Sequence, residues 1–381
     1  MLSSTVFERD AASMPKRGDG IADWQRSGNG HGRIALLGVG TVGKALLARL
    51  EALGDAPVAA NLRLVHVANS RYAVSGERDV VPTEAIARLQ HATQVSALDH
   101  VAPALGRQGV RIVVDATASE AVAERHASWL AQGIHVVTAC KLGQGTSLGR
   151  WAAIRTAAAR GETRYGDSAT VGAGLPLLRS LRELQAGGDR IHAIAGVLSG
   201  SLGWLFQGFD GMRPFSTLVR QARDAGYTEP DPREDLSGED VRRKLLILAR
   251  ASGFEIESGL VEVASLVPAG LAALPRHDVD AALHLLDAPL RERHARAHRD
   301  GEKLRFIARL THADRGAPRL RVGLESLPPD HPLAGGSGTD NRVAIWSDRY
   351  REQPLVIQGP GAGAQVTAAA LLDDVVRIAK G

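Results

Sequence analysis

The sequence is poor in cysteine, with Cys140 alone among 381 residues. An intramolecular disulfide is therefore excluded, and the reducing cytoplasm is the expected compartment. No apolar run approaches the roughly 20 residues that a membrane-spanning helix needs. Aromatic residues make up only 4%, and the scattered Lys and Arg residues do not alternate with them. We therefore expect neither a membrane nor a nucleic acid as a partner.

The amino-terminal residues 1–32 are polar and lack the continuous apolar stretch of a secretory signal. Glu8, Asp10 and Asp19 argue against a transit peptide. We expect this segment to be a disordered tail that precedes the folded part of the chain.

From residue 33, short apolar runs alternate with helical stretches, which is typical of a doubly wound parallel sheet. The pattern predicts strands at 33–37, 62–68, 111–115 and 134–138, with helices at 44–53, 120–132 and 151–160. Beyond about residue 165 it predicts helices at 177–186, 215–226, 241–251 and 368–379, with strands at 191–198, 304–310, 319–325, 343–346 and 355–358. The sequence thus predicts an α/β protein. Its Rossmann nucleotide-binding domain covers 33–166 and 359–381, and a mixed α/β region covers 167–358.

A glycine-rich turn follows the first predicted strand and reads Gly38-Val39-Gly40-Thr41-Val42-Gly43. In a dinucleotide-binding fold the first glycine permits the tight turn, the second admits the pyrophosphate, and the third allows close helix–strand packing. The helix amino terminus then supplies free N–H groups and the positive end of its dipole. Three glycines in an ordinary loop are the alternative.

The choice between NAD and NADP is read at the end of the second predicted strand. An NAD-binding protein places Asp or Glu there to bind the ribose hydroxyls. This chain has Asn69, Ser70 and Arg71 instead. Ser70 could donate to a 2′-phosphate and Arg71 could pair with it, which favours NADP over NAD. The alternative is a solvated loop arginine.

The most informative segment for chemistry is 226–244, Gly-Tyr-Thr-Glu-Pro-Asp-Pro-Arg-Glu-Asp-Leu-Ser-Gly-Glu-Asp-Val-Arg-Arg-Lys. Pro230 and Pro232 exclude a helix from its first half. A helix is then predicted to start near Ser237, and Asp240 and Lys244 share one of its faces. Apolar residues follow Lys244 almost all round this helix, which indicates burial. A buried lysine has a pKa that is easily lowered, as a general acid or base requires.

Structural explanations fit the same residues. Ser237 and Asp240 have the spacing of a capping box, so Asp240 could satisfy the start of the helix. Lys244 could extend toward solvent or form an ordinary ion pair with Asp240. Glu229 and Asp235, in the proline-stiffened loop, are the further acidic candidates.

At this level of detail, residues 226–250 resemble the signature of homoserine dehydrogenases almost residue for residue. The similarity extends along the chain from residue 33 and includes the segments 38–43, 167–176, 196–202, 354–363 and 366–369. The resemblance implies reversible reduction of L-aspartate 4-semialdehyde to L-homoserine, a step of threonine and methionine biosynthesis. It also implies a homodimer built through the mixed α/β region. The chain resembles the dehydrogenase portion only, without the aspartate kinase or ACT domains of some members.

The resemblance also implies roles for individual residues. Lys244 matches the catalytic lysine that protonates the semialdehyde oxygen, and Lys141 matches a second lysine near the nicotinamide and the substrate. Glu229 and Asp240 match carboxylates that bind the substrate, and Asp235 matches a neighbouring acidic position.

Further matches concern the cofactor and an ion. Thr117 and Ser119 match positions that line the cofactor, and Gly363 matches a contact from the returning carboxy-terminal segment. Backbone carbonyls at four positions match a site for a monovalent cation such as sodium: Ser168, Val171, Ala173 and Leu175. Two residues depart from the family pattern, since Cys140 stands where asparagine is usual and Gln365 where aspartate is common.

Two other functions compete with this interpretation. Cys140, at the end of a predicted strand beside a lysine, could attack an aldehyde as in a semialdehyde dehydrogenase that works through a thiohemiacetal. A lone cysteine is more often a packing residue. The chain could also be a cofactor-binding sensor without chemistry, but the joint presence of Lys244, Lys141, Glu229 and Asp240 argues against that.

Overall fold

The computed structural model describes residues 32–381 except 55, 58–60, 77–78, 313–316 and 337. The predicted disordered tail lies outside these residues, apart from Gly32, which begins the first strand.

The strands are β1 (Gly32–Leu37), β2 (Leu62–Ala68), β3 (Ala73–Ser75), β4 (Val110–Asp115), β5 (His135–Thr138), β6 (Tyr165–Gly166), β7 (Ile191–Val197), β8 (Val261–Val263), β9 (Lys303–Thr311), β10 (Arg319–Leu327), β11 (Asp340–Ser347) and β12 (Leu355–Pro360). The α-helices are α1 (Thr41–Ala52), α2 (Ala85–Gln90), α3 (Val101–Leu105), α4 (Glu120–Ala131), α5 (Leu148–Arg160), α6 (Leu177–Ala186), α7 (Gly200–Gly208), α8 (Phe215–Asp224), α9 (Arg233–Leu236), α10 (Glu239–Ala251), α11 (Ala269–Ala272), α12 (Val279–Ala282), α13 (Asp287–Arg299) and α14 (Ala364–Ala379).

The first sheet has the strand order β3-β2-β1-β4-β5-β6. Its strands pair in parallel from β2 to β6, and only the short edge strand β3 is antiparallel. The order reverses between β1 and β4, and ligands of such sheets bind where the carboxyl ends of the strands meet at this switch point. The predicted Rossmann-type fold is confirmed.

The carboxy-terminal helix α14 closes one face of the first sheet. It packs against α1, and its Leu371 and Val375 share a core with Ile34 and Leu36 of β1. These four side chains are all but inaccessible to solvent. The end of the chain therefore belongs to the packing of the nucleotide-binding layer.

The second sheet has the order β12-β11-β7-β9-β10-β8 and is antiparallel except where β8 joins β10. Helix α10 packs against β9 and β10. Its residues Leu245, Leu246, Ile247 and Leu248 are all buried. The expected burial of the helix around Lys244 is thus confirmed.

The start of α10 differs from the prediction. The short helix α9 comes first, and α10 begins only at Glu239. Between them Gly238 takes a φ of +77°, and a Cβ there would lie 2.9 Å from Cζ of Phe306. The helix therefore begins two residues after the predicted start near Ser237, because Gly238, in a left-handed conformation, separates α10 from α9. In the described part of the chain, no helix is long and apolar enough to cross a membrane.

Candidate active site

The glycine turn between β1 and α1 uses each of its glycines differently. Gly38 has a φ of +92°, and a Cβ there would lie 2.7 Å from the Ala116 carbonyl oxygen. A Cβ at Gly43 would collide with the carbonyl oxygen of Gly38. At Gly40 a Cβ would meet no heavy atom within 4 Å. The first and third positions are thus closed by packing, whereas the second faces open space.

Helix α1 presents its amino terminus to this open space. Gly40 is its N-cap, and the first hydrogen bond within the helix runs from Lys44 N to Gly40 O at 2.9 Å. The N–H groups of Thr41, Val42 and Gly43 precede that bond and have no partner within the helix. An open glycine before free amide donors fits a pyrophosphate group.

The loop after β2 lies beside this turn, because Gly38 N donates to the Ala68 carbonyl at 2.9 Å. Asn69 shapes the loop, since its Oδ1 accepts hydrogen bonds of 2.7 Å from both Arg71 N and Tyr72 N. Ser70 and Arg71 remain exposed. Asn69 thus has a turn-forming role in the backbone, and the two residues after it are free to meet a ligand.

A buried carboxylate that the sequence interpretation missed organises the ends of β4 and β5. Asp115 is fully buried, and its Oδ1 accepts from Thr117 N at 2.9 Å and from Thr117 Oγ1 at 2.6 Å. Its Oδ2 accepts from Thr138 Oγ1 at 3.1 Å and lies 3.0 Å from His126 Nε2. Thr117 Oγ1 in turn accepts from Ser119 N at 3.1 Å. The only signal in the sequence was an acidic residue directly after the apolar run 112–114.

Two lysines from different layers meet at one carboxylate. Lys141 follows β5, and its Nζ lies 3.3 Å from Asp240 Oδ1. Lys244 on α10 places its Nζ 2.8 Å from Asp240 Oδ2. Asp240 therefore joins the carboxyl edge of the first sheet to the helix of the second layer. This arrangement contradicts the capping-box explanation, because the Asp240 side chain faces the lysines rather than the start of the helix.

The side chain of Lys244 is largely buried, with only 11% of it exposed. Its Nζ also donates to the Leu198 carbonyl oxygen at 2.8 Å. Burial lowers the pKa of Lys244, Asp240 opposes that effect, and Lys141 adds to it. Burial also works against ionisation of Asp240, but the ammonium groups of Lys244 and Lys141 hold its pKa well below the usual range. The cluster therefore favours a charged carboxylate beside a lysine that gives up its proton more readily than in water.

Asp235 was expected in the proline-stiffened loop but lies on the short helix α9, from which it holds that loop. Asp235 Oδ1 accepts from Ser201 Oγ at 2.7 Å, and Oδ2 accepts from Glu229 N at 2.8 Å. The side chain of Glu229 is exposed. Asp235 thus fixes the backbone that carries Glu229, which is a positioning contact that sequence spacing did not indicate.

Cys140 lies directly before Lys141 but is only 4% exposed. Its backbone N donates to Thr138 Oγ1 at 2.8 Å. Burial and then the charge of Asp115 raise the pKa of the Cys140 thiol to about 11. A thiol of that pKa is almost wholly protonated at neutral pH, which argues against a nucleophilic role.

The remaining predicted residues lie near the carboxy-terminal helix. Gly363, with a φ of +117°, is the N-cap of α14. Ser168 donates from N and from Oγ to the buried carboxylate of Asp374, at 3.0 and 2.9 Å. Burial raises the pKa of Asp374, although the hydrogen bonds from Ser168 oppose this.

The segment predicted to bind a cation forms tight turns. Leu175 N donates to the Gly172 carbonyl at 2.9 Å, and Leu177 N donates to the Leu175 carbonyl at 2.8 Å. Ala173 has a φ of +50°. These contacts do not test ligation by the carbonyls of Ser168, Val171, Ala173 and Leu175, and the cation site stays a prediction.

Comparison with known proteins gives consistent matches along the chain. Residues 38–165 match the family model described as "Homoserine dehydrogenase, NAD binding domain", and residues 176–376 match the model "Homoserine dehydrogenase". The homoserine dehydrogenase of Emericella nidulans is 36% identical, over 91% of this chain and 97% of its own length. A Candida auris protein described as being of unknown function has a crystal structure with a TM-score of 0.84 and 34% identity, over 91% of this chain and 98% of that one.

Longer relatives contain a second activity. The bifunctional aspartokinase/homoserine dehydrogenase 1 of Zea mays is 38% identical over 91% of this chain. The present chain spans only 38% of that relative's length.

Proposed function

The chain belongs to the homoserine dehydrogenase family of NAD(P)-dependent oxidoreductases, and from that premise we propose that it reversibly reduces L-aspartate 4-semialdehyde to L-homoserine. Its place is then in threonine and methionine biosynthesis. The observation that carries the proposal is the meeting of Lys141 and Lys244 at Asp240, at the carboxyl edge of the nucleotide-binding sheet. A buried ammonium beside a nucleotide site suits the reduction of an aldehyde, which needs one proton as well as one hydride.

Lys244 is the proton donor in this proposal. Its Nζ gives a proton to the aldehyde oxygen during reduction, and the neutral amine takes one back from homoserine during oxidation. Burial makes the proton of Lys244 easier to release, and Asp240 keeps the amine charged until the proton is transferred. The hydrogen bond to the Leu198 carbonyl orients the ammonium group. The reduced cofactor, held by the glycine turn through its pyrophosphate, would supply the hydride.

The substrate is a small zwitterion, so its ammonium needs acidic partners and its carboxylate needs a cation or N–H donors. Glu229 and Asp240 are assigned to the ammonium, and Asp235 supports Glu229 through the backbone contact described above. Lys141, with 29% of its side chain exposed, offers positive charge to the substrate carboxylate.

The cofactor is assigned to the glycine turn. Gly38, Gly40 and Gly43, with the N–H groups of Thr41 and Val42, hold the pyrophosphate. Thr117 and Ser119 would line the cofactor, and Gly363 would contact it from the returning carboxy-terminal segment.

Ser70 and Arg71 bind a 2′-phosphate in this proposal, so that NADP is preferred to NAD. Arg71→Ala should then raise the KM for NADP roughly ten- to a hundredfold, the loss expected for a charge-assisted hydrogen bond, and leave the KM for NAD nearly unchanged. The KM values for both cofactors, measured side by side, test this. Equal changes for NAD and NADP would contradict it.

Three further assignments follow from the family. The protein is proposed to act as a homodimer, to work in the cytoplasm, and to hold a monovalent cation such as sodium on the carbonyls of Ser168, Val171, Ala173 and Leu175.

The direct test is homoserine-dependent reduction of NADP, followed by the absorbance of the reduced cofactor. Lys244→Ala should lower kcat by about two to four powers of ten, because the reaction loses its proton donor. Cofactor affinity should persist, since Lys244 lies outside the phosphate site. The matched control is Lys303→Ala, which removes an exposed lysine at the start of β9 and should behave like the unaltered protein. Absence of activity in the unaltered protein, or full activity in Lys244→Ala, would refute the assignment.

A further inference from the structure

A cleft of about 590 Å³, separate from the candidate active site, lies between helices α5, α6 and α10. Its walls include Trp151, Arg155, Tyr165, Arg182, Gln185 and Arg250. None of the residues assigned above to the cofactor or the substrate lines it. Its volume is in the range of small-molecule sites, roughly 300–1,000 Å³.

The wall of the cleft carries a net positive charge. Three guanidinium groups line it, and among the described residues that line it none is acidic. The guanidinium carbon of Arg155 lies 4.8 Å from the centre of the Trp151 ring. Within the described part of the chain no carboxylate forms an ion pair with Arg155. Its charge is thus oriented by an aromatic ring and left available to a ligand.

The other two arginines are fixed in the wall. Arg182 binds Asp167 through both terminal nitrogens, at 2.8 and 2.6 Å. Arg250 is only 1% exposed and donates to the carbonyls of Gln144, Thr146 and Ile256, which are neutral acceptors. Burial lowers the pKa of Arg250 to about 10, and the charge of Glu257 opposes this effect only in part. An anion in the cleft would supply the missing negative charge.

We propose that this cleft binds a small multivalent anion that carries carboxylate or phosphate groups and no ammonium group. Guanidinium groups pair with both kinds of acid through parallel hydrogen bonds. The side chain of Gln185 adds a neutral hydrogen-bonding group to the wall. An amino acid would place its ammonium beside arginines without a carboxylate in the wall, so the charge pattern selects against zwitterions.

The cleft also contacts both segments that carry the lysines of the candidate active site. Arg250 lies on α10 with Lys244, and its bond to the Gln144 carbonyl reaches the loop that follows Lys141. The Tyr165 hydroxyl lies 2.9 Å from His126 Nδ1, and His126 contacts Asp115. A substitution in the cleft could therefore also change the activity through these contacts, so the test measures binding of the anion directly.

The test is isothermal titration of the full chain with citrate and, separately, with inorganic pyrophosphate. Saturating NADP keeps the pyrophosphate probe out of the glycine turn. We expect at least one probe to bind saturably, and binding by citrate alone or by pyrophosphate alone identifies the preferred acid. Arg155→Gln should weaken it roughly ten- to a hundredfold, the loss expected for a hydrogen bond to a charged group. Arg155→Lys, which keeps the charge but not the planar fork, should weaken it less.

Arg160→Gln is the matched control, because Arg160 is an exposed arginine at the end of the same helix and does not line the cleft. It should bind the probe like the unaltered protein. Circular dichroism checks that each variant is folded. The proposal is overturned if neither probe binds saturably, if Arg155→Gln leaves binding unchanged, if Arg160→Gln weakens it equally, or if threonine displaces the probe.

Discussion

Replacing Asp240 by asparagine should shift the pH dependence of turnover without removing the proton donor. The change keeps the shape of the side chain but removes the negative charge that lies 2.8 Å from Lys244 Nζ. Asp240 raises the pKa of Lys244, whereas burial and Lys141 lower it. In the Asp240→Asn protein burial and Lys141 still lower this pKa, and only the smaller effect of Asp235 opposes them. The pKa of Lys244 should therefore fall.

The size of the shift follows from the geometry and the exposure of the pair. Because 47% of the Asp240 side chain is exposed, solvent screens the interaction strongly. At a separation of 2.8 Å, an effective dielectric constant between about 40 and 80 gives about 1.5–3 kcal/mol, or about one to two pKa units.

The assay is kcat against pH with saturating substrates, so that weaker substrate binding does not mask the effect. In the proposed reaction, reduction of the aldehyde needs the protonated lysine, so the alkaline limb of the pH profile should move to lower pH by about one to two units. Glu239→Gln is the control, since Glu239 pairs with Arg242 at 2.8 Å and adjoins Asp240 in the chain. An alkaline limb that stays in place in Asp240→Asn, or moves equally in Glu239→Gln, would show that Lys244 is not the titrating donor.

Three other perturbations test separate parts of the molecule. Cys140→Ala should retain turnover within about twofold in initial-rate assays, because a buried thiol with a pKa of about 11 is not a nucleophile at neutral pH; loss of all activity would favour the thiohemiacetal route. Asp115→Asn should lower the free energy of unfolding, measured in urea, by about 3 kcal/mol, because hydrogen bonds to a buried charge are weakened. It should also raise the KM for the cofactor, because the Thr117 contacts are weakened. A variant with unchanged stability and unchanged KM would contradict the role given to these contacts. Burial, with a smaller contribution from His100, lowers the pKa of His66 from 6.5 to about 4, so the unfolded chain binds its proton first as pH falls. The free energy of unfolding should thus fall between pH 6.5 and 4, by up to about 3 kcal/mol. Urea titrations over this pH range measure it. If the His66→Gln variant loses as much free energy of unfolding over the same range, His66 is excluded as the cause.

Long segments with a regular pattern of apolar residues were predictable, because that pattern follows from which side chains are buried. The predicted strand 62–68 and helix 177–186 coincide with β2 and α6. The short strands β6 and β8 were missed, since two or three residues carry no period and are held by neighbouring strands. Helix α7 was also missed, because three glycines weaken its intrinsic preference. Its burial against the second core compensates for that weakness.

In the candidate site, too, contacts within one helix were predictable from the sequence, whereas contacts between distant segments were not. Spacing alone places Asp240 and Lys244 on one helix face, but it cannot distinguish an ordinary ion pair from a capping residue or a catalytic group. The contact of Lys141, which reaches the same carboxylate from the end of β5 in the other sheet, argues against the capping role. Periodicity gives no information about that contact, because it depends on how the two sheets pack. The charge state of Lys244 is therefore partly a property of the assembled layers, and any change that separates β5 from α10 should remove the effect of Lys141 on the pKa of Lys244 while the effect of Asp240, on the same helix, persists.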